Sequence, residues 1–192
     1  NITGHGLVFG RTGYREGSVD ETGQTPYGMA WGKVIRSSLF AHLKFPEGYW
    51  FEDTIFAFCI APFQPTHYLI PEYVCNYTRN PLGITLRSRK KAKAVDTVWI
   101  MRYLMAELAR KKEVHSAQVQ QLLLQHIALA WYRLSRLDEA VQQAAFLVMQ
   151  QMYAGYYTSQ DIFVQDSRLL ALHQALTAKS YGQYLAAAEK LT

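Results

Sequence analysis

Proline and glycine are partitioned along this chain, and the partition limits what it can fold into. Pro26, Pro46, Pro62, Pro65, Pro71 and Pro81, the full set of prolines, and nine of the twelve glycines precede residue 82. Beyond Gly83 there are two glycines and no proline. A proline inside a helix removes a backbone donor and clashes with the preceding turn, and an interior glycine costs about 1 kcal/mol relative to alanine. Long helices are therefore confined to the second part, and the first part must be assembled from short elements and turns. The change falls near residues 84–90, which predicts two domains, 1–87 and 88–192, and a fold that is α+β but mostly α.

Downstream of the change, apolar residues recur at helical spacing. Val119, Leu122, Leu123, Ile127, Ala130 and Leu134 mark one amphipathic helix, and Val141, Ala144, Ala145, Val148 and Met152 mark the next. A segment from Ala92 to Ala109 and two shorter ones, Ser167–Ala178 and Tyr181–Leu191, complete a predicted five-helix region. Ser180-Tyr181-Gly182-Gln183 has the capping-box form that starts a helix. Upstream, Leu7-Val8-Phe9 is a strand candidate, and residues 11–28, rich in Gly, Thr and Ser, read as a mobile loop. Lys33–His42 reads as a short helix. Ile55, Phe56, Cys59 and Phe63 share one face of a second helix, beginning near Glu52 and ended by Pro62 and Pro65. His67–Ile70 and Tyr73–Thr78 favour strands joined through Pro71-Glu72.

With 49% hydrophobic and 18% charged residues the composition is that of a globular chain. No apolar run approaches the 18 or so residues that a spanning helix needs, and no basic stretch followed by an apolar one opens the sequence. Cys59 and Cys75 sit in apolar surroundings without ligand spacing, as thiols of a reducing compartment would. Twenty Lys+Arg against fifteen Asp+Glu leave a net charge of +5. Five of the cations, Arg87, Arg89, Lys90, Lys91 and Lys93, crowd into seven residues, and Arg110, Lys111 and Lys112 form a second cluster. Both clusters are candidates for contact with phosphate or anionic lipid, or else are simply solvated helix ends, the second also compensating the negative end of a helix dipole. The expected location is cytoplasmic, peripheral at the inner membrane face, with no nucleic-acid partner.

Several chemistries lack their motifs: there is no GxxxxGK[ST], no HExxH and no GxSxG, and the glycines of Gly4–Gly10 miss the dinucleotide spacing by one residue. His126 and His173 fall on apolar helix faces, where a core histidine with one satisfied nitrogen is expected rather than a metal ligand. The constellation that carries chemistry is Phe45-Pro46-Glu47-Gly48-Tyr49-Trp50-Phe51-Glu52-Asp53-Thr54. It sets two acidic residues at the start of a helix behind an aromatic loop, where unpaired N–H groups and the macrodipole favour a carboxylate. An ionised carboxylate beside an aromatic platform suits a general base acting on a sugar hydroxyl. Alternatively, Glu52 and Asp53 are simply good first-turn residues.

Four blocks add a resemblance. Trp31-Gly32-Lys33-Val34-Ile35-Arg36-Ser37-Ser38-Leu39-Phe40, Phe45-Pro46-Glu47-Gly48, Glu52-Asp53-Thr54-Ile55-Phe56 and Tyr77-Thr78-Arg79-Asn80-Pro81-Leu82-Gly83-Ile84-Thr85, in that order, resemble the second half of a family 2 glycosyltransferase of the GT-A fold. The likeness covers residues 27–86. It implies inverting transfer from a nucleotide-diphosphate sugar to a saccharide, lipid-linked or polymer acceptor, with Asp53 as catalytic base and Glu52 beside it. It further implies that Trp31 and Lys33 help build the acceptor side, that the Tyr77–Arg79 segment lies near the donor pyrophosphate, and that Trp50 belongs to the acceptor or donor vicinity. The family holds a divalent cation, Mn or Mg, through an Asp-x-Asp motif in an N-terminal nucleotide-binding half. This sequence has no Asp-x-Asp. The chain is therefore expected to be the C-terminal part of such an enzyme, inactive and without a bound cation on its own, with Asn1 not its native start.

The helices after residue 88 lie outside the shared blocks, and a packing or assembly role, including oligomerisation, is expected of them. A rival reading makes them the functional unit. Ala128–Val141 faintly resembles a tetratricopeptide hairpin, which implies a non-catalytic interaction module, but no second copy appears at a 34-residue offset.

Overall fold

A computed structural model describes residues 15–17, 33–63, 67–69, 83–84 and 90–191 of the 192-residue chain. The chain divides into two compact units, one containing Asn1–Phe45 and Asp53–Pro81, the other Pro46–Glu52 and Leu82–Thr192. Among the described residues the fold is mostly helical.

The second unit is built on five α-helices: α1 (Asp96–Arg110), α2 (Ala117–Leu134), α3 (Glu139–Ala154), α4 (Ser167–Thr177) and α5 (Tyr181–Glu189). A 3₁₀ turn, Ala92–Val95, leads into α1. Where caps form they are local. Ser116 accepts from Val119 N–H at 3.2 Å, Asp166 from Arg168 N–H at 2.8 Å and Ser180 from Gln183 N–H at 3.4 Å. The Ser180 N–H is already committed to Ala175 O, so the predicted capping box contributes its serine half. The core takes Met101, Leu104 and Leu108 from α1, Leu123, Leu124 and Ile127 from α2, and Leu172 and Leu176 from α4. Tyr184 of α5 packs 4.9 Å, centroid to centroid, from Phe146 and edge-on to Trp131 at 6.3 Å, closing the bundle with aromatic area.

In α3 the buried stripe is Ala145, Phe146, Met149 and Tyr153. The predicted stripe is rotated from it: of Val141, Ala144, Ala145, Val148 and Met152, only Ala145 is fully buried. Val141, Ala144 and Val148 instead line an open groove of about 350 Å³ with Val98 and Trp99. Helix α3 is apolar on two sides, and the side carrying the two large rings buries more area, so it wins the core.

A polar network runs through the bundle. Gln120, fully buried, donates from Nε2 to Tyr153 Oη and to Asp161 O, and accepts from Phe163 N–H at 2.9 Å. With that lone pair engaged, the Tyr153 hydroxyl donates to His173 Nδ1 at 2.7 Å. The His173 proton therefore sits on Nε2, a buried atom, and the ring also interacts with the Ser159 backbone. His126 is buried too, and its Nε2 donates to Thr97 O at 3.2 Å. Both histidines are core residues, as their apolar faces predict.

The first unit is more irregular. Strand β1 (Arg15–Gly17) pairs antiparallel with β2 (His67–Leu69), Arg15 opposite Leu69. The β2 residues fall within the predicted strand His67–Ile70, whereas β1 lies inside the stretch read as a mobile loop, because pairing rather than local composition makes it a strand. The predicted helix Lys33–His42 is reduced to one 3₁₀ turn, Ser37–Phe40, without a side-chain cap. Val34 and Ile35 are β-branched and Arg36 is held at φ −58°, ψ 125°, so no helical nucleus extends toward Lys33. The helical segment after Asp53 winds as a π turn, Phe56–Ile60, and then a 3₁₀ turn, Ala61–Phe63, which runs through Pro62; Pro65, the second predicted stop, lies outside the described residues. Ile55, Phe56, Phe58, Cys59, Ile60 and Ala61 are all buried, so this is a core segment with no single apolar face. The predicted strands Leu7–Phe9 and Tyr73–Thr78, and Cys75, lie outside the described residues.

Candidate active-site segment

The Phe45–Thr54 constellation is divided between the units: Pro46–Glu52 belongs to the helical one, and Asp53 begins the return to the other. The helical unit holds its portion as a strap. Trp50 donates its backbone N–H to Asp96 Oδ2 at 2.7 Å. The same Oδ2 pairs with Lys93 Nζ at 2.9 Å, and Lys93 donates to Gly48 O at 2.7 Å. Phe51 lies under the Arg133 guanidinium, 3.7 Å from its ring centroid, and Arg133 donates to Thr97 Oγ1 at 2.8 Å. Trp50 meets Phe51 edge-on at 6.3 Å. The backbone is left-handed at two places, Gly48 (φ 82°) and Phe51 (φ 67°). Glycine tolerates this freely; phenylalanine does so only where its surroundings impose it. Glu52 is exposed and Trp50 half-buried.

In the other unit, Asp53 stands at the head of its helical segment, its carbonyl accepting from Phe56 N–H at 3.0 Å. Lys33 lies with its Nζ 5.0 Å from the Phe56 ring centroid. Burial pulls the Lys33 ammonium below its usual range, and the nearby negative charge of Asp53 acts against that shift. Two of the predicted site residues, far apart in sequence, thus come together around Phe56.

Trp31, Tyr77, Arg79, Arg87 and Arg89 lie outside the described residues. Lys90 and Lys91 are exposed, whereas Lys93 is engaged by Asp96 and Gly48. Among the described residues no group of three or more His, Cys, Asp or Glu could hold a metal ion, so they do not supply the cation site that the glycosyltransferase resemblance implies. Nor, among them, is any helix long and apolar enough to cross a membrane. Asp96, Thr97 and Arg133 are missed by sequence reasoning. An aspartate in a first turn and an arginine in a last turn look like ordinary dipole partners, and their contacts to residues 48–51 bridge distant parts of the chain. No family model, curated protein or solved structure matches this chain.

Proposed function

We propose that the chain forms the acceptor-side part of an inverting glycosyltransferase of the family 2, GT-A type, with Asp53 as general base and Glu52 beside it. One observation carries the reading. The Trp31–Phe40 and Glu52–Phe56 blocks, which supply half of the sequence resemblance, meet where Lys33 rests over Phe56 within the field of Asp53. In the reaction Asp53 takes the proton of an acceptor hydroxyl as its oxygen bonds to the anomeric carbon. The bond from that carbon to the diphosphate breaks, and its electron pair leaves with the nucleoside diphosphate. Lys33, whose charge opposes that of Asp53, is suited to keep the carboxylate anionic before the proton arrives.

The test is Asp53→Asn in the enzyme expressed from its complete open reading frame. It keeps the side-chain shape and loses the proton acceptor, so kcat should fall by about 10²–10⁴-fold with donor binding little changed. Glu52→Gln should cost less. Normal turnover by Asp53→Asn would remove the assignment. The exposed Lys90 and Lys91 further support peripheral contact with an anionic membrane, at about 1 kcal/mol per charge near the surface.

A further inference from the structure

The helical unit grips the strap at three points. Its anchors converge on the residues just before the acidic pair: Asp96 takes the Trp50 N–H, Lys93 takes Gly48 O, and Arg133 covers Phe51. Asp96 is nearly buried, and it receives both a backbone donor and an ammonium on one oxygen. Charge-assisted bonds of this kind are short and geometrically demanding, and a stacked guanidinium fixes a ring plane rather than only a charge. Phe51 keeps a left-handed backbone that an unanchored phenylalanine would abandon, and Glu52 follows it directly. We infer that Asp96 and Arg133 are positioning residues, which hold Gly48–Phe51 in one conformation and so fix the backbone from which Glu52, the residue beside the base, departs. The helices from α1 onward then act as the rigid support of a catalytic loop. A base must sit within hydrogen-bond reach of the proton it removes, and small displacements of such a group are costly to turnover.

The inference rests on reading Asp53 as the base, and the experiment separates the two. Turnover is followed in the enzyme from the complete open reading frame, as nucleoside diphosphate released from a panel of uridine-, guanosine- and thymidine-diphosphate sugars. Backbone hydrogen exchange over residues 46–54 is read in the same preparations. Asp96→Ala should speed exchange over 46–54, leave exchange across α2 to α4 unaltered, and lower kcat by about 10²-fold at unchanged donor KM. Asp96→Asn keeps a side-chain oxygen for the Trp50 N–H and should recover part of both losses. Arg133→Lys keeps the charge without the flat group over Phe51; it should loosen the same segment, and it carries the test if Asp96→Ala does not fold. Unchanged exchange over 46–54 in these variants overturns the inference. So does faster exchange with normal kcat. If Asp53→Asn is inactive while Asp96→Ala and Arg133→Lys turn over normally, the positioning role alone falls. If Asp53→Asn is active, or the wild type turns over none of the panel, the catalytic reading falls and takes this one with it.

Discussion

Lys112 and Lys179 occupy the left-handed position that follows a helix, with φ of 60° and 56°. After α1, Glu113 N–H returns to Leu108 O and Lys112 N–H to Ala109 O; after α4, Ser180 N–H returns to Ala175 O and Lys179 N–H to Leu176 O. Both are Schellman closures in a place that glycine usually takes, and each lysine bears a steric cost that glycine avoids. Lys112→Gly and Lys179→Gly should each raise stability by about 0.5–1 kcal/mol, read as the shift in urea midpoint. His126 makes a pH prediction. Burial, reinforced by the charge of Arg133, lowers its pKa from 6.5 to about 4. An unfolded chain therefore binds a proton below 6.5 that the native state refuses until about 4, and stability falls as pH drops through that window. The loss should be on the order of 3 kcal/mol at its lower end. His173 is shifted down by burial as well and adds to the same slope. Denaturation between pH 7.5 and 4 should show a shallower slope for His126→Gln, and an unaltered slope would count against a buried neutral imidazole.

At the scale of elements, caps should be graded by the bonds they make. Ser116→Ala removes the acceptor for Val119 N–H and should cost about 1 kcal/mol. Asp138, which precedes α3, makes no side-chain cap bond, so Asp138→Ala should cost only a few tenths of a kcal/mol through the dipole. Chemical denaturation of the two variants side by side tests the ranking. All five helices were legible from periodicity, because a long proline-free stretch leaves few competing structures. Their ends were less so: at 112 and 179 lysine stands where a glycine would have announced the stop. The burial face of α3 was misread because two apolar sides compete in it, and periodicity alone cannot say which one a neighbouring Tyr184 will cover. Strand β1 was invisible for a related reason, since its three residues become a strand only by pairing with β2.

At the scale of the molecule, Gln120 ties α2 to Tyr153 in α3 and to the chain between α3 and α4, and Tyr153 passes the connection to His173 in α4. Gln120→Leu keeps the volume but strands the Phe163 N–H and the Asp161 carbonyl, and should cost about 2–3 kcal/mol. Tyr153→Phe, which loses one hydroxyl, should cost less, and a melting series of the two variants and their double mutant measures the coupling. Membrane contact belongs to this scale too. Binding to anionic vesicles should weaken when Lys90 and Lys91 are replaced by Gln and should vanish at high salt, as surface charge is screened. Equal binding to neutral vesicles would show that the basic run plays no part.

Proline and glycine placement and apolar period were enough to determine that this chain is mostly helical, where its long helices run and that His126 and His173 belong to a core. Those are local properties, set by backbone sterics and side-chain pattern within a few turns. The strap is not local. Asp96 and Arg133 carry no motif, and their significance comes from meeting Trp50 and Phe51. The approach of Lys33 to Phe56 and Asp53 is likewise a product of packing. Only the tertiary structure decided these, because contacts between residues distant in sequence depend on how whole elements bury their area, which no single window of sequence records.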